Sequence, residues 1–426
     1  PSPASAPPPP SDPTPVPARV PMRTHPGFAS ASMVSQKIHD ATRAAIRATR
    51  QEGNTLKGLR LARRMVVLAQ QENSAPAELE ALNFLAICQA ANGDYMEAIA
   101  ASIDAFDKAK KLQDQLGMAH ALTTLAGAAS FILDTLDVSL LMLDECLKFA
   151  LILNNVALEA RVRVLRGLVL GSLERFDESE AEFARAMQLI PFAGANTPRA
   201  LVIGNHAHLA VKRARAAPAS EQLPLWQRAQ TQSDAALAVA RTDGNHISES
   251  LLHFSRGELN RRLGKYDVAL TEYREVMRFA KAAKQGMRIA ETHFEIAHIY
   301  ALRDSNEAAL AEYQAALHVA ESHRPMRLIS PIYMAMAKLQ RKLGHINQVA
   351  ALQKKAEEEK TVFLRESEHT RRALNEFWRG LSAMPKQAAM VSTTATSAPL
   401  ITPTVTPYAT PTDTPFITPL QREHHR

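Results

Sequence analysis

Apolar residues recur with the spacing of a helix face along most of the chain. Leu82, Leu85 and Ala86 follow the i, i+3, i+4 pattern that places three side chains on one side of a helix. Gly93 then interrupts the pattern, because glycine supplies the backbone freedom with which a helix ends. A second stripe of small and apolar residues begins at Ala98. This segment therefore predicts two helices joined by a tight turn.

The helix–turn–helix pattern repeats. Small residues recur where one helix must approach another closely, at separations of 40, 41, 40, 50, 40 and 40 residues: Ala86, Ala126, Gly167, Ala207, Gly257, Ala297 and Ala337. A second series lies twelve residues later in seven of the repeats: Gly58, Ala98, Val138, Ser179, Ala269, Ala309 and Val349. The fifth repeat contributes Ala229, displaced by an insertion of about ten residues around Pro218 and Pro224.

Both series indicate about eight repeats. A single pair of helices has too little apolar surface to fold alone, so neighbouring pairs must stack and bury a continuous core. The sequence therefore predicts an all-α fold, an α-solenoid of about eight helix–turn–helix repeats over residues 35–360.

The segments outside the array differ in composition. Residues 1–34 are proline-rich and are predicted to form a disordered arm. Residues 361–384 are predicted to form a C-terminal capping helix. In the alternative interpretation, Phe377 and Trp378 are a docking anchor or belong to the remnant of a linker helix. Residues 385–426 contain five Thr-Pro pairs and are predicted to be a disordered tail, either a spacer or a segment for binding or modification.

The net charge of +7 arises from 50 basic against 43 acidic residues, and it is concentrated near the N-terminus. Residues 1–64 hold ten basic and three acidic side chains, so the remainder of the chain is neutral overall. This distribution argues against a uniformly basic protein that coats nucleic acid. Arg43, Arg47 and Arg50 share one helix face, which suits an acidic peptide or another anion, with a solvated face as the alternative. Residues 29–64 lack the aromatic residues that favour nucleic acid.

The motifs of catalysis and cofactor binding do not occur in the sequence. It has no Gly-rich phosphate loop, no Gly-x-Ser-x-Gly elbow and no His-Glu-x-x-His run. We therefore expect a protein that is not an enzyme and needs no cofactor or metal. Cys88 and Cys146 lie within helical patterns and are expected to be buried thiols. No stretch approaches the ~20 apolar residues of a membrane span, and no secretory signal is visible, so we expect a cytoplasmic protein.

The repeats resemble the tetratricopeptide repeat (TPR) family. The best-matching strings are Leu263-Gly264-Lys265-Tyr266-Asp267 with Ala269 and Tyr273, Gly93-Asp94-Tyr95 with Ala98, and Phe176-Asp177 with Phe183 and Ala186. The period of about 40 residues is similar to that of kinesin light chains and of the sensory TPR regions of bacterial signalling proteins. The resemblance implies a right-handed superhelix whose first helices line a concave groove. It also implies protein or peptide binding without chemistry.

The resemblance also assigns residues to the groove, by their offset from the small residue of each repeat. The candidates are Arg43, Arg47, Arg50, Asn83, Arg161, Phe254, Arg261, Phe294, His298, Lys338 and Arg341. They predict a groove that is apolar in its middle and basic at both ends. The family's carboxylate clamp is not expected, because only Asn83 fits it and lacks basic partners beside it.

Three functions remain open on the sequence. In the first, the chain is a scaffold that binds a protein or an extended, acidic peptide in the groove. In the second, it is a regulatory sensor in which a bound ligand changes the superhelix and thereby a signalling partner. In the third, the basic first repeat attaches the protein to an anionic surface. Fold alone does not choose among them.

Overall fold

The structure, a computed structural model, describes residues 55–132, 135–193, 199–322 and 327–383. This part of the chain contains fifteen α-helices, one 3-10 helix (Ile190–Phe192) and no strand. The α-helices are α1 Thr55–Gln71, α2 Ala75–Asn92, α3 Tyr95–Lys111, α4 Gln115–Ala129, α5 Leu136–Ile152, α6 Val156–Ser172, α7 Phe176–Leu189, α8 Arg199–Ala216, α9 Ala219–Thr242, α10 His246–Arg262, α11 Tyr266–Ala283, α12 Gly286–Leu302, α13 Asn306–Glu321, α14 Ile329–Lys342 and α15 Ile346–Ser382.

Consecutive helices pack as pairs. The even-numbered helices from α2 to α14 are the first helices of seven repeats, and each packs on the odd-numbered helix that follows it. Helix α1 packs on α2 in the place of a second helix. Its predicted partner precedes Thr55 and lies outside the described residues, as do the predicted arm 1–34 and tail 385–426. The pairs confirm the predicted α-solenoid.

The turns between helices rely on two local devices. Four first helices begin at a side-chain cap, in which Ser74, Asp114, Asn155 or Asn245 accepts a hydrogen bond from the amide three residues later. At the end of α2, Gly93 has φ 94°, a left-handed conformation that glycine adopts without a steric penalty. These signals fix the helix boundaries and keep the repeats in phase.

Small residues occupy the closest helix approaches, as their spacing predicted. A Cβ atom on Gly167 of α6 would lie 2.9 Å from the ring of Phe183 on α7. A Cβ atom on Gly257 of α10 would lie 2.5 Å from the ring of Tyr273 on α11. A larger side chain at either position would therefore push the two helices of its repeat apart. The alanines of the series are all buried: Ala86, Ala126, Ala207, Ala297 and Ala337.

The insertion in the fifth repeat lengthens a helix. Helix α9 has 24 residues, with Pro218 immediately before it and Pro224 inside it. Pro218 precedes the first turn, where a missing amide removes no intrahelical hydrogen bond, whereas Pro224 is the sixth residue of the helix and removes one such bond. The extra residues therefore extend the second helix and leave the first helix, α8, at its normal length.

The first helices form the inner layer of the solenoid. Successive first helices from α2 to α12 pack directly on one another, whereas successive second helices in the described residues make no comparably extensive contacts. The array therefore curves toward its first helices. The curvature brings distant repeats together, and the hydroxyl of Tyr95 at the start of α3 lies 3.8 Å from the sulfur of Met287 on α12.

Helix α15 continues far beyond the last repeat. Its 37 residues contain no proline, and they run without a break through the predicted boundary between 360 and 361. Its far end returns to repeats two and three, where Leu374 is fully buried and Phe377 meets Phe106 edge to face at 5.1 Å. The helix therefore braces the two ends of the array against each other. Neither α15 nor any other described helix has the length and apolar character needed to cross a membrane.

Candidate binding surface on the inner layer

Polar contacts connect successive first helices across the inner layer. They are Arg161 to Thr124 (3.3 Å), Lys212 to Ser172 (3.0 Å), His208 to Ser255 (3.0 Å), Arg215 to Glu258 (3.1 Å) and Arg261 to Glu295 (3.2 Å). All of them join one repeat to the next, so they hold the helices at a fixed separation. The inner layer therefore presents polar and charged groups as well as apolar ones.

The candidates at the two ends of the predicted groove differ in their surroundings. Lys338 and Arg341 are exposed on α14, where they are accessible to a partner. Asn83 is half-buried on α2. Arg43, Arg47 and Arg50 lie outside the described residues, so their place on the groove stays a prediction.

The aromatic candidates pack against their neighbours. Phe294 is buried and meets the ring of His298 at 4.3 Å, and both rings lie against Tyr313 on α13. Phe254 is half-buried, with the guanidinium of Arg288 on α12 lying 4.6 Å from its ring centroid. Phe294 therefore belongs to the core of the seventh repeat, whereas Phe254 forms part of the contact between two first helices.

The arginine candidates are held by neighbouring first helices. Arg261 on α10 forms an ion pair with Glu295 on α12, and its side chain is only 15% exposed. Arg161 on α6 is half-buried and donates a hydrogen bond to the hydroxyl of Thr124 on α4. Both guanidiniums therefore contribute to the spacing of the helices as well as to the charge of the inner layer.

The middle of the inner layer is charged, which differs from the predicted apolar middle. Lys212 and Arg215 on α8 approach Glu258 on α10, and Arg288 and Arg327 lie within electrostatic reach of this group. We call these five residues the central charge cluster. The sequence mapping assigned no groove residue to α8, because the fifth repeat matches the repeat pattern weakly.

Lys212 is the least accessible cation of the cluster. Its residue is 8% exposed, and its Nζ donates a hydrogen bond to the hydroxyl of Ser172. Burial lowers the pKa of Lys212 to about 7, and the positive charges of Arg215 and Arg327 act in the same direction. Burial also lowers the pKa of the neighbouring His208 well below its ordinary value, together with the charges of Lys212, Arg215 and Arg288. The cluster is therefore an environment that favours incoming negative charge.

A cleft lies where the two ends of the array meet. The ring of Tyr95 stacks on Phe131 at 4.4 Å, and Met287 and Phe363 also line the cleft. The cleft is about 540 Å³ including its open mouth. Arg327 lines it and also acts on Lys212, so the cleft adjoins the central charge cluster. Burial raises the pKa of Tyr95, which keeps the phenol neutral.

A second set of charges links the two helices within a repeat. His253 and Arg256 on α10 both contact Glu272 on α11, with His253 Nδ1 and a carboxylate oxygen 2.6 Å apart. Burial raises the pKa of Glu272, but the hydrogen bond from His253 and the charge of Arg256 outweigh it and leave the pKa below its usual range. His293 and Glu312 repeat the contact one unit later at 2.6 Å. These groups stabilise the repeats themselves.

The two cysteines and the remaining histidines offer no competing site. Cys88 and Cys146 form no disulfide and are fully buried, and burial raises the pKa of the Cys146 thiol to about 12. His206 and His208 point to different neighbours, Glu180 and Ser255. Within the described ranges, no three His, Cys, Asp or Glu side chains converge as metal ligands would.

Comparison with known proteins gives structural similarity alone. No protein-family model matches the chain, and no curated protein matches it. A solved Rap protein complexed with competence and sporulation factor is similar with a TM-score of 0.59 and 13% identity, over 80% of this chain and 90% of that one. A Rap conjugation gene regulator of the plasmid pLS20, in complex with a Phr peptide, has a TM-score of 0.53 and 15% identity, over 78% and 92%. These similarities confirm the TPR-like α-solenoid fold.

Proposed function

We propose that this chain is a non-catalytic scaffold that binds an extended peptide or protein segment on its inner layer. The observation that carries the proposal is the central charge cluster, because a layer with only a structural role would be filled with apolar side chains. Two solved proteins of the same fold are complexed with competence and sporulation factor and with a Phr peptide, respectively. A cytoplasmic location fits the two cysteines, which form no disulfide, but stays an expectation.

The preferred partner is acidic. The cluster contains four basic side chains and one glutamate, Glu258, which pairs with Arg215, and Lys338 and Arg341 add exposed positive charge on α14. Cations that line a concave surface attract and orient negatively charged ligands. If Arg43, Arg47 and Arg50 lie at the other end as predicted, the same chemistry extends along the whole groove.

Display of random twelve-residue peptides on phage tests the proposal. Panning on the full chain should enrich peptides rich in Asp and Glu. The Lys338→Glu, Arg341→Glu double variant should bind the enriched peptides less tightly, because it reverses two exposed charges of the inner layer. The Lys281→Glu variant is the matched control, since Lys281 is exposed on the second helix α11. The proposal fails if panning enriches no peptide, or if both variants weaken binding equally.

A sensor is the second candidate, and the contact between the ends of the array favours it. Tyr95, Met287 and α15 join repeats that are far apart in sequence, next to the central charge cluster. A ligand on the inner layer would act on that contact and so change the shape of the whole solenoid. Small-angle scattering with the enriched peptide at saturation should then show a changed radius of gyration. An unchanged scattering profile would contradict the sensor function and remain compatible with the scaffold function.

The basic first repeat is a separate surface. The exchange of Arg43 and Arg47 for glutamate tests whether it binds anything. If every partner captured by the parent chain is still captured by this variant, the first repeat has no part in recognition.

A further inference from the structure

Lys212 differs from the other cations that link the first helices. Arg215, Arg261 and Arg288 each have a carboxylate within 3.2 Å, from Glu258, Glu295 and Glu291 respectively. Lys212 makes no ion pair among the described residues, although it is more than nine-tenths buried. An ammonium group has three hydrogens to donate, and Lys212 places one of them on the hydroxyl of Ser172. A buried cation without a counterion is strongly unfavourable.

The charged groups around Lys212 are more positive than negative, so an additional negative charge would be stabilised there. Arg215 lies on the same helix and Arg327 precedes α14, and both repel the ammonium. His208 on the same helix adds no charge, because burial lowers its pKa well below the ordinary value and keeps it neutral. Glu258 on α10 attracts it but is engaged by Arg215. Helix α6 contributes the neutral Ser172. Glu180 on α7 accepts a hydrogen bond from Arg213 at 3.3 Å and another from Arg228 on α9 at 3.2 Å. These charged groups therefore pair with one another and not with Lys212.

We propose that Lys212 is an anion anchor that binds a carboxylate of the peptide held on the inner layer. The inference rests on the proposed function, because it assigns one residue to the recognition of that same ligand. The carboxylate accepts hydrogen bonds from the ammonium hydrogens that Ser172 does not use. It also lies near Arg215 and Arg327, whose charges favour it.

Binding at this position is linked to proton uptake. The pKa of Lys212 is about 7 in the free protein, so at pH 8 its amine is mostly neutral. A bound carboxylate stabilises the protonated form and raises this pKa. The complex therefore takes up most of one proton at pH 8 and little at pH 6. Affinity falls as the pH rises above 7, because free protein then has to be protonated before it binds.

The experiment uses the full chain and the peptides enriched by phage display. Isothermal titration compares the parent chain with Lys212→Met and with Lys281→Met, which removes an exposed lysine from the second helix α11. Lys212→Met should bind ~10- to 100-fold more weakly, the range expected for a lost charged hydrogen bond. Lys281→Met should bind like the parent chain. Circular dichroism verifies the fold, and removal of an unpaired buried charge should leave it intact.

Two arms identify the source of the carboxylate. Amidation of the peptide's C-terminus removes the terminal carboxylate, and exchange of each Asp or Glu for its amide removes the side-chain carboxylates one at a time. One of these changes should weaken binding to the parent chain and have no further effect on Lys212→Met. Titrations at pH 8 in two buffers of different ionisation heat should show proton uptake by the parent chain and none by Lys212→Met.

The outcomes separate this inference from the proposed function. Enriched peptides that bind Lys212→Met within twofold of the parent chain, without proton uptake by either, would overturn the anchor and leave the scaffold standing. A panning experiment that enriches no peptide would overturn both.

Discussion

Helices α4 and α10 occupy the same place in their repeats, yet their buried faces differ. Helix α4 buries mainly alanine and leucine: Ala119, Ala121, Leu122, Leu125, Ala126, Ala128 and Ala129. Helix α10 buries many polar and charged groups: Ser248, Glu249, Ser250, His253, Ser255, Glu258 and Asn260. The backbone pattern is thus compatible with either composition, because the small residue and the turns set the helix geometry.

The different buried faces of α4 and α10 indicate that one region of the array mainly provides stability and the other can provide recognition. The apolar faces around α4 join the largest hydrophobic core, which also receives the end of α15. The repeats built on α8 and α10 have smaller apolar cores and depend more on hydrogen bonds and ion pairs. In a solenoid each repeat contacts mainly its neighbours, so the two regions contribute separately to stability. Polar contacts in the repeats built on α8 and α10 can then be replaced by contacts with a ligand without loss of the apolar core around α4.

The largest expected effect is in the apolar region. Leu122→Ala should lower the free energy of unfolding by about 2–5 kcal/mol, because Leu122 is fully buried and its loss leaves a cavity. Leu151→Ala is the control, since Leu151 is 55% exposed on α5 and its loss should cost less than about 0.5 kcal/mol. Denaturant unfolding measures both. Equal effects would show that the region around α4 has no tightly packed core.

Lys212 provides the second test, in the polar region. Its lowered pKa of about 7 means that, above pH 7, the unfolded chain binds more protons at this group than the folded chain. Parent stability should therefore rise relative to Lys212→Met by roughly 2 kcal/mol between pH 7 and pH 9. Lys281→Met should show no such trend against the parent. A constant difference between parent and Lys212→Met would mean that the amine is not buried as described.

Glu272 provides the third test. Glu272→Gln should cost about 1.5–3 kcal/mol at pH 7, because it removes a charged acceptor from His253 and Arg256. The pKa of Glu272 is lowered in the folded protein, so its contribution is present above the ordinary carboxylate range and is lost as the pH falls through the folded pKa. Denaturant unfolding at both pH values should therefore show that Glu272→Gln costs less stability at pH 3 than at pH 7.

Glu312→Gln is the matched control for that exchange. Glu312 has the same contact with His293, but its side chain is 28% exposed against 10% for Glu272. Within the described ranges, Glu312 also has no arginine contact of the kind that Arg256 makes with Glu272. The loss should therefore be smaller, and a larger loss would contradict the importance of burial in the pair.

The smallest expected change concerns the brace between the ends. Phe377→Ala removes an edge-to-face contact with Phe106, a type of pair that contributes about 0.5–1.5 kcal/mol beyond its buried area. The solenoid should open, and small-angle scattering should show a larger radius of gyration. Leu364→Ala, on an exposed part of α15, should leave the radius unchanged. Equal radii for both variants would mean that α15 does not hold the ends together.

The sequence predicted the fold because the relevant signals are local and repeated. The spacing of Gly167 and Gly257 reports a close approach between helices, and Gly93 marks a helix end. Each signal recurs in several repeats, so an error in one repeat is corrected by the others. The buried thiols of Cys88 and Cys146 followed from the same pattern.

The site depends on contacts that the repeat pattern does not contain. The approach of Leu374 to the first core, or of Tyr95 to Met287, depends on small rotations summed over several repeats. Lys212 escaped notice because the sequence mapping assigned no groove residue to the weakly matching fifth repeat, and only the packed neighbours show that this lysine is buried. The brace and the central charge cluster therefore required the three-dimensional structure.

Hydrogen–deuterium exchange on the full chain, with and without an enriched acidic peptide, tests the central claim most directly. We expect slower exchange in α8 and α10, the helices that carry Lys212, Arg215 and Glu258 of the central charge cluster, and unchanged exchange in α4. Protection of second helices alone, or protection of α4 with α8 and α10 unchanged, would contradict binding at the cluster.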